Sequence, residues 1–172
     1  MPTEAELLKW VRRVPLDKFP ALPKSVRTTL EARHCQVPTP SGGPDNVIKG
    51  AFTKADVIEW AVLCSVSDTS QILVLNATTG VVTDSTEKSA DLVWIQSDGG
   101  GKWIFSQVIT LVTMDVLNNT PVYEDSEIVL NNFKATFPKP IDHDGIGHWY
   151  LDKAGDTLYC AHGKWYSVSS AD

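Results

Sequence analysis

The stretch from Val47 to Asn76 constrains the fold more than any other part of the chain. It reads as a short entry strand, a polar turn, and a strand that hairpins into the next. From Glu59 to Val66 the side chains of Trp60, Ala61, Val62, Leu63 and Cys64 form a nearly unbroken apolar run. A strand with one solvated face alternates apolar and polar residues, so an unbroken run predicts a strand covered on both faces. Ser67-Asp-Thr-Ser70 is a turn, and Ile72–Leu75 returns antiparallel to it. Trp60, Val62, Leu63, Ile72 and Val74 are expected among the most buried side chains.

Before this hairpin the pattern is helical. Ala5, Leu7, Leu8 and Val11 recur at helical spacing, with Thr3 as N-cap and Glu6 as its capping-box partner, so a helix is predicted over residues 3–14 and ended by Pro15. Lys24 to His34 reads as a second helix. Residues 36–46, rich in Pro and Gly, form a loop by composition. The chain thus divides into an N-terminal helical segment, 1–36, and an antiparallel β-rich part, 47–172, expected to make one compact unit. The expected fold class is α+β, with the N-terminal helices packed on a twisted, mainly antiparallel sheet. Two further hairpins are read at Asp91–Phe105 and Asp156–Val168. The His162-Gly163 pair suits a tight turn with positive φ. Ser106 to Leu117 is apolar and β-branched and reads as a strand, with helix as the alternative. Leu117–Pro121 reads as a turn, and Ile128–Phe137 is left open between helix and strand.

Composition narrows the function classes. At 172 residues the chain can bury a sizeable core without metal or disulfide. Its net charge is −6, and its Lys and Arg do not cluster as phosphate-backbone binding requires, so nucleic acid is not an expected partner. No apolar run is long enough for a membrane-spanning helix. The acidic N-terminus does not resemble a signal peptide, which leaves a cytoplasmic chain or an exported one whose leader has been removed. Cys35, Cys64 and Cys160 lack C-x-x-C spacing. Three buried reduced thiols are the expectation, with one disulfide plus one free thiol as the alternative.

The pattern Ile48-x-Gly50-x-Phe52-x-x-x-Asp56-x-x-x-Trp60-Ala-Val-Leu63 resembles one FG-GAP repeat of integrin-type β-propellers. That resemblance implies a Gly-x-Phe start, an acidic calcium loop and a following core strand. It occurs once, whereas a propeller needs several blades. Only Asp56 and Glu59 are acidic in the loop, against the six or more oxygens that Ca²⁺ takes. The order of other segments, among them Trp60-Ala-Val-Leu-Cys64, Ile141-Asp-His-Asp-Gly-Ile146 and Gly163-Lys-Trp165, is similar to a broad set of bacterial proteins with no activity attached.

Two groups of residues invite chemistry. Asp142, His143, Asp144 and His148 place two carboxylates and two imidazoles within seven residues, the donor types that hold a divalent metal or exchange protons. Trp94, Trp103, Trp149 and Trp165, with Tyr150 and Tyr166, can line a groove for a sugar or peptide, or instead pair across strands. The Gly-rich run Ser97–Lys102 lacks phosphate-loop spacing and reads as a hairpin tip. Cys64, set in an apolar strand, reads as an inert thiol rather than a nucleophile. The chain therefore reads as a non-catalytic binding or protein-interaction module for a protein or small ligand, with no cofactor expected. The alternative is a hydrolase or metal-dependent enzyme using the Asp142–His148 cluster.

Overall fold

The computed structural model describes residues 2–120, 127–130, 133–136 and 138–170. In chain order its elements are α1 (Glu4–Leu8), β1 (Arg12–Val14), α2 (Lys24–Ala32), β2 (Val37–Thr39), β3 (Val47–Gly50), β4 (Glu59–Val66), β5 (Thr69–Asn76), β6 (Val82–Ser85), β7 (Ser89–Ala90), β8 (Ile95–Ser97), β9 (Trp103–Phe105), β10 (Gln107–Val112), α3 (Met114–Asn119), β11 (Glu127–Leu130), β12 (Phe133–Thr136), β13 (Gly145–Tyr150), β14 (Gly155–Ala161) and β15 (Lys164–Ser170). One sheet runs β3-β4-β5-β6, with β7 also on β5. The other large sheet runs β10-β13-β14-β15. Three two-stranded pairs, β1-β2, β8-β9 and β11-β12, complete the described strands.

The β4–β5 hairpin does what its apolar run requires. Trp60, Val62 and Cys64 point to one side, where they join Val14, Leu16, Phe19, Val26, Leu30 and Val37 from the N-terminal segment. Ala61 and Leu63, with Ile72 and Val74 of β5, point to the other side and meet Ile109 and Ile146 of the second sheet and Phe105 of β9. Val62, Leu63 and Val74 are fully buried and Ile72 nearly so. The hairpin is thus the middle layer of the molecule, and period-2 alternation sends its side chains into two separate cores. A third core, on the outer face of the second sheet, joins Val112, Leu117, Ile141, Tyr159 and Val168.

The expected α+β arrangement of helices on one sheet is overturned. Strands hold 42% of the chain and helices 18%, and the fold is β-rich with several antiparallel sheets. The capping box at Thr3 and Glu6 forms, but α1 lasts five residues and buries none of them. Residues 12–14 leave the helical pattern because Arg12, Arg13 and Val14 pair with Thr39, Pro38 and Val37. Tertiary pairing overrides helical spacing there. The supposed loop at 36–46 therefore contains a strand. Of the N-terminal helices only α2 buries side chains fully, Val26 and Leu30, while α1 touches the core through half-buried Leu8.

Ser106–Leu117 is likewise not one strand. β10 ends at Val112, and Thr113 caps α3 by accepting a hydrogen bond from the Val116 amide at 3.3 Å. Phe137, and Pro121 of the expected 117–121 turn, lie outside the described residues. The hairpin at Asp156–Val168 forms as expected, with His162 and Gly163 at φ 53° and 71°. Gly80, at φ +71°, cannot be replaced. A Cβ there would come within 2.3 Å of the Ser25 carbonyl oxygen in α2.

Cys35 and Cys64 form a disulfide that ties the end of α2 to β4, so Cys64 is not a free core thiol. Cys160 is free and buried. Burial, aided by the Asp84 carboxylate, pushes its thiol up to about 12, which keeps the thiolate scarce. A thiol reagent should therefore label almost nothing in the native protein, and one thiol per chain after unfolding without reductant. Three labels under those conditions would contradict the Cys35–Cys64 bond.

Candidate functional site

The two large sheets are sealed along their shared core and part at one end. There they leave a cleft of about 740 Å³. One wall is the edge of the first sheet, from Ser85 through Ser89, together with Ser70 and Gln71. The opposite wall is the inner face of the second sheet, with Gln107, His148, Leu158 and Trp165. Trp94 belongs to the short 3-10 turn Asp91–Trp94 that precedes β8.

Register explains how these side chains meet. On β10 and β13, Ile109 lies opposite His148 and Gln107 opposite Tyr150, so 107, 109, 148 and 150 share one face. Ile109 goes into the core and Gln107 and His148 continue into the cleft. Gln107 Nε2 lies 2.7 Å from His148 Nε2. Burial holds His148 below the usual imidazole range, against an opposing pull from Asp156. Trp94 packs against His148 and Tyr150 with ring centroids 4.8 and 4.5 Å apart, and its Nε1 donates to Ser89 Oγ at 2.9 Å. The Trp94 ring is therefore held on three sides.

Asn46 fixes the backbone behind this wall. Its φ of 66° is one that Asn tolerates better than most residues. Its side chain donates to the carbonyls of Pro38 and Gln107 and accepts from the Ile109 amide, at 2.7, 3.0 and 2.9 Å. One buried amide thus joins the N-terminal layer to β10.

Of the four predicted aromatic residues, Trp94 and Trp165 come together in this cleft and the other two do not. Trp149 lies on the opposite face of its strand, across Gly147, where its Nε1 donates to Thr110 Oγ1 at 2.9 Å. Trp103 is half-buried in β9 and is not part of the cleft.

The Asp142–His148 cluster is dispersed. β13 starts only at Gly145, and alternation along it sends His148 to the cleft. His143 is buried elsewhere, with Nε2 2.7 Å from the Cys160 carbonyl oxygen and Nδ1 2.6 Å from Asp142 Oδ1. Its ring stacks on Tyr159 at 4.4 Å. The hydrogen bond from His143 lowers the Asp142 carboxyl below its ordinary range. Asp144 accepts from the amides of Ala51 at 3.0 Å and Met114 at 2.9 Å. These groups fasten the loop before β13 to β3 and α3. Among the described residues, no group of three or more His, Cys, Asp or Glu could hold a metal ion.

Glu59, at the acidic end of the FG-GAP-like stretch, is also a fastener. Its Oε2 accepts from the amides of Phe52 and Thr53, and its Oε1 from the hydroxyls of Thr53 and Thr83.

Sequence reasoning missed Gln107, Lys88 and Lys164 as cleft residues. Gln107 carried a signal, being polar at the head of an apolar, β-branched run. The two lysines carried none. No family model matches the chain, and no curated protein or solved structure matches it either.

The depressed His148 pKa gives stability a pH dependence. Above the ordinary histidine value, near 6.5, the group is neutral whether the chain is folded or not. Below it the unfolded chain takes up a proton that the folded one resists, so stability falls as pH drops from 6.5 toward the folded value. His148→Asn should flatten the wild-type decline in urea midpoint between pH 7 and pH 5.5. An equally steep decline in the variant would assign the effect to other groups.

Proposed function

We propose that this chain is a non-catalytic binding module whose cleft between the sheets takes a small ligand. The observation that carries the reading is the cleft itself. Its volume falls within the roughly 300–1,000 Å³ typical of small-molecule sites. Two indoles and a few placed polar groups line it, the mixture by which such sites gain affinity from apolar area and orientation from hydrogen bonds.

The placement of the titratable groups argues for binding over turnover. General acid–base work needs a group within hydrogen-bond reach of substrate and free to move a proton. His148 faces an amide side chain. Both nitrogens of His143 are engaged within the protein. The buried carboxylates Glu59 and Asp91 each serve as hydrogen-bond hubs. The hydrolase alternative at Asp142–His148 has correspondingly less support. The Cys35–Cys64 bond favours an oxidising compartment as the place where the module works.

A small-molecule library screened by intrinsic tryptophan fluorescence tests the proposal. Ligands found this way should lose at least tenfold in affinity for Trp165→Ala and Trp94→Ala, and keep their affinity for Trp149→Phe. Ligands insensitive to both cleft variants would contradict it.

A further inference from the structure

Away from the cleft, the buried ring of His143 has an acceptor at each nitrogen. Nε2 lies 2.7 Å from the Cys160 carbonyl oxygen, and Nδ1 lies 2.6 Å from Asp142 Oδ1. A carbonyl and an ionised carboxylate only accept hydrogen bonds, and a neutral imidazole has a single N–H to give. The neutral ring would press a lone pair against an oxygen at one end. With a proton on each nitrogen, both contacts become hydrogen bonds. Asp142 is ionised beside it, since the hydrogen bond from His143 holds its carboxyl below the ordinary range. The Tyr159 ring also stacks on His143, with centroids 4.4 Å apart and planes 18° from parallel. A cation within about 6 Å of an aromatic face is attracted by the ring quadrupole. His143 is only 6% exposed, so these protein groups, rather than solvent, decide its protons.

The same groups offer a second arrangement. Tyr159 Oη lies 3.2 Å from His143 Nδ1 and 3.4 Å from Asp142 Oδ1, and it accepts from the Asp142 amide at 3.2 Å. Its proton can point to either neighbour. The Asp142 side chain is 58% exposed and has water to turn to. Lys139 of the same loop, Lys54 of the β3–β4 connection, Cys160 of β14 and His162 of the β14–β15 turn border the adjoining cavity of about 210 Å³. Asp84 reaches the Cys160 thiol from β6, and Asp144 is engaged with the Ala51 and Met114 amides. From these contacts we infer that His143 is a proton-operated latch. Protonated on both nitrogens, it clasps the Asp142 carboxylate and ties the loop before β13 to β14. With Nδ1 bare, it takes the Tyr159 hydroxyl proton in a hydrogen bond and lets Asp142 swing out to solvent. The latch opens at low pH when Asp142 takes up a proton, and at high pH when Nδ1 gives one up. The loop also carries Asp144, so the latch sets how firmly the ends of β3 and α3 are held.

The test is a ¹H–¹⁵N spectrum of the histidine ring nitrogens of the full chain at pH 7.5, where a free histidine side chain is mostly neutral. Both His143 nitrogens should carry the protonated signature. As pH is raised, Nδ1 should change to the bare-nitrogen signature while Nε2 keeps its proton. In Asp142→Asn the ring should already be singly protonated at pH 7.5, because the amide can donate to a bare Nδ1. Tyr159→Phe should keep the doubly protonated ring at pH 7.5, yet lower the melting temperature more once Nδ1 is bare. A singly protonated His143 in the wild type at pH 7.5 would overturn the latch, and that spectrum needs no variant to fold. A doubly protonated ring unchanged by Asp142→Asn would overturn the part given to Asp142. An equal loss for Tyr159→Phe in both states would overturn the part given to Tyr159.

Discussion

Asp91→Ala is expected to cost about 3–5 kcal/mol of folding stability, the range for removing one partner of a buried ion pair. Asp91 is fully buried and its carboxylate is shared among three groups. Oδ2 accepts from Arg13 Nη2 at 2.7 Å and from Ser65 Oγ at 2.6 Å, and Oδ1 accepts from Ser70 Oγ. Arg13 lies on β1 and also reaches Asp68, at 2.5 Å in the β4–β5 turn. The one carboxylate therefore binds the N-terminal strand, both strands of the central hairpin, and the turn that carries Trp94. Its loss strands two buried hydroxyls and leaves the mostly buried Arg13 guanidinium with only the half-exposed Asp68 as a charged partner. Urea denaturation should show the midpoint drop with an unchanged slope. Arg13→Ala/Asp91→Ala should cost less than the sum of its single changes, because both single changes remove the same Arg13–Asp91 contact. A loss below about 1 kcal/mol for Asp91→Ala would show that this network does not hold the layers together.

Glu59→Ala should be comparably damaging, about 3–5 kcal/mol, because two backbone amides and two hydroxyls would lose their acceptor at a fully buried site. Glu59→Gln separates hydrogen bonding from charge. The amide oxygen can still take the Phe52 and Thr53 amides. Its NH2 can donate to Thr83 Oγ1, which already lies 3.1 Å from the Val74 carbonyl and can donate there instead. The Gln variant should therefore lose only about 1–2 kcal/mol. Equal losses for Ala and Gln would mean that the charge, rather than the acceptor geometry, is what the loop needs. A calcium-dependent shift in the midpoint of wild type, absent in both variants, would instead recover the role that the FG-GAP-like pattern implies.

What could be read beforehand follows from how each feature is encoded. The β4–β5 hairpin was legible because burial on both faces leaves a continuous apolar run in one short window. The His162-Gly163 turn was legible because positive φ restricts residue choice locally. The β1–β2 pairing was not, since nothing in Arg12-Arg13-Val14 names Val37-Pro38-Thr39 as its partner. The same holds for the disulfide, where three widely spaced cysteines do not state which two meet. α3 was hidden by the apolar continuity from Val108 to Leu117, although Thr113 followed by Asp115 is a helix-start signal. The cleft is the hardest case. Its walls come from residues 70–71, 85–89, 94, 107, 148, 158, 164–165 and 167. Only the fold brings those segments together, and the aromatic residues alone could not say which two of four would face inward. The Asp142–His148 group failed for the converse reason, because closeness along a chain is not convergence when a strand begins within it.

The central claim, that ligand binding occurs between the sheets, is tested most directly by the indole N–H signals in a ¹H–¹⁵N spectrum. The chain has six tryptophans, and each reports from a different place. On titration with a saturating ligand, the signals of Trp94 and Trp165 should move together along one binding curve, while those of Trp10, Trp103 and Trp149 stay in place. Shifts confined to Trp103 or Trp149, with Trp94 and Trp165 unmoved, would contradict the account.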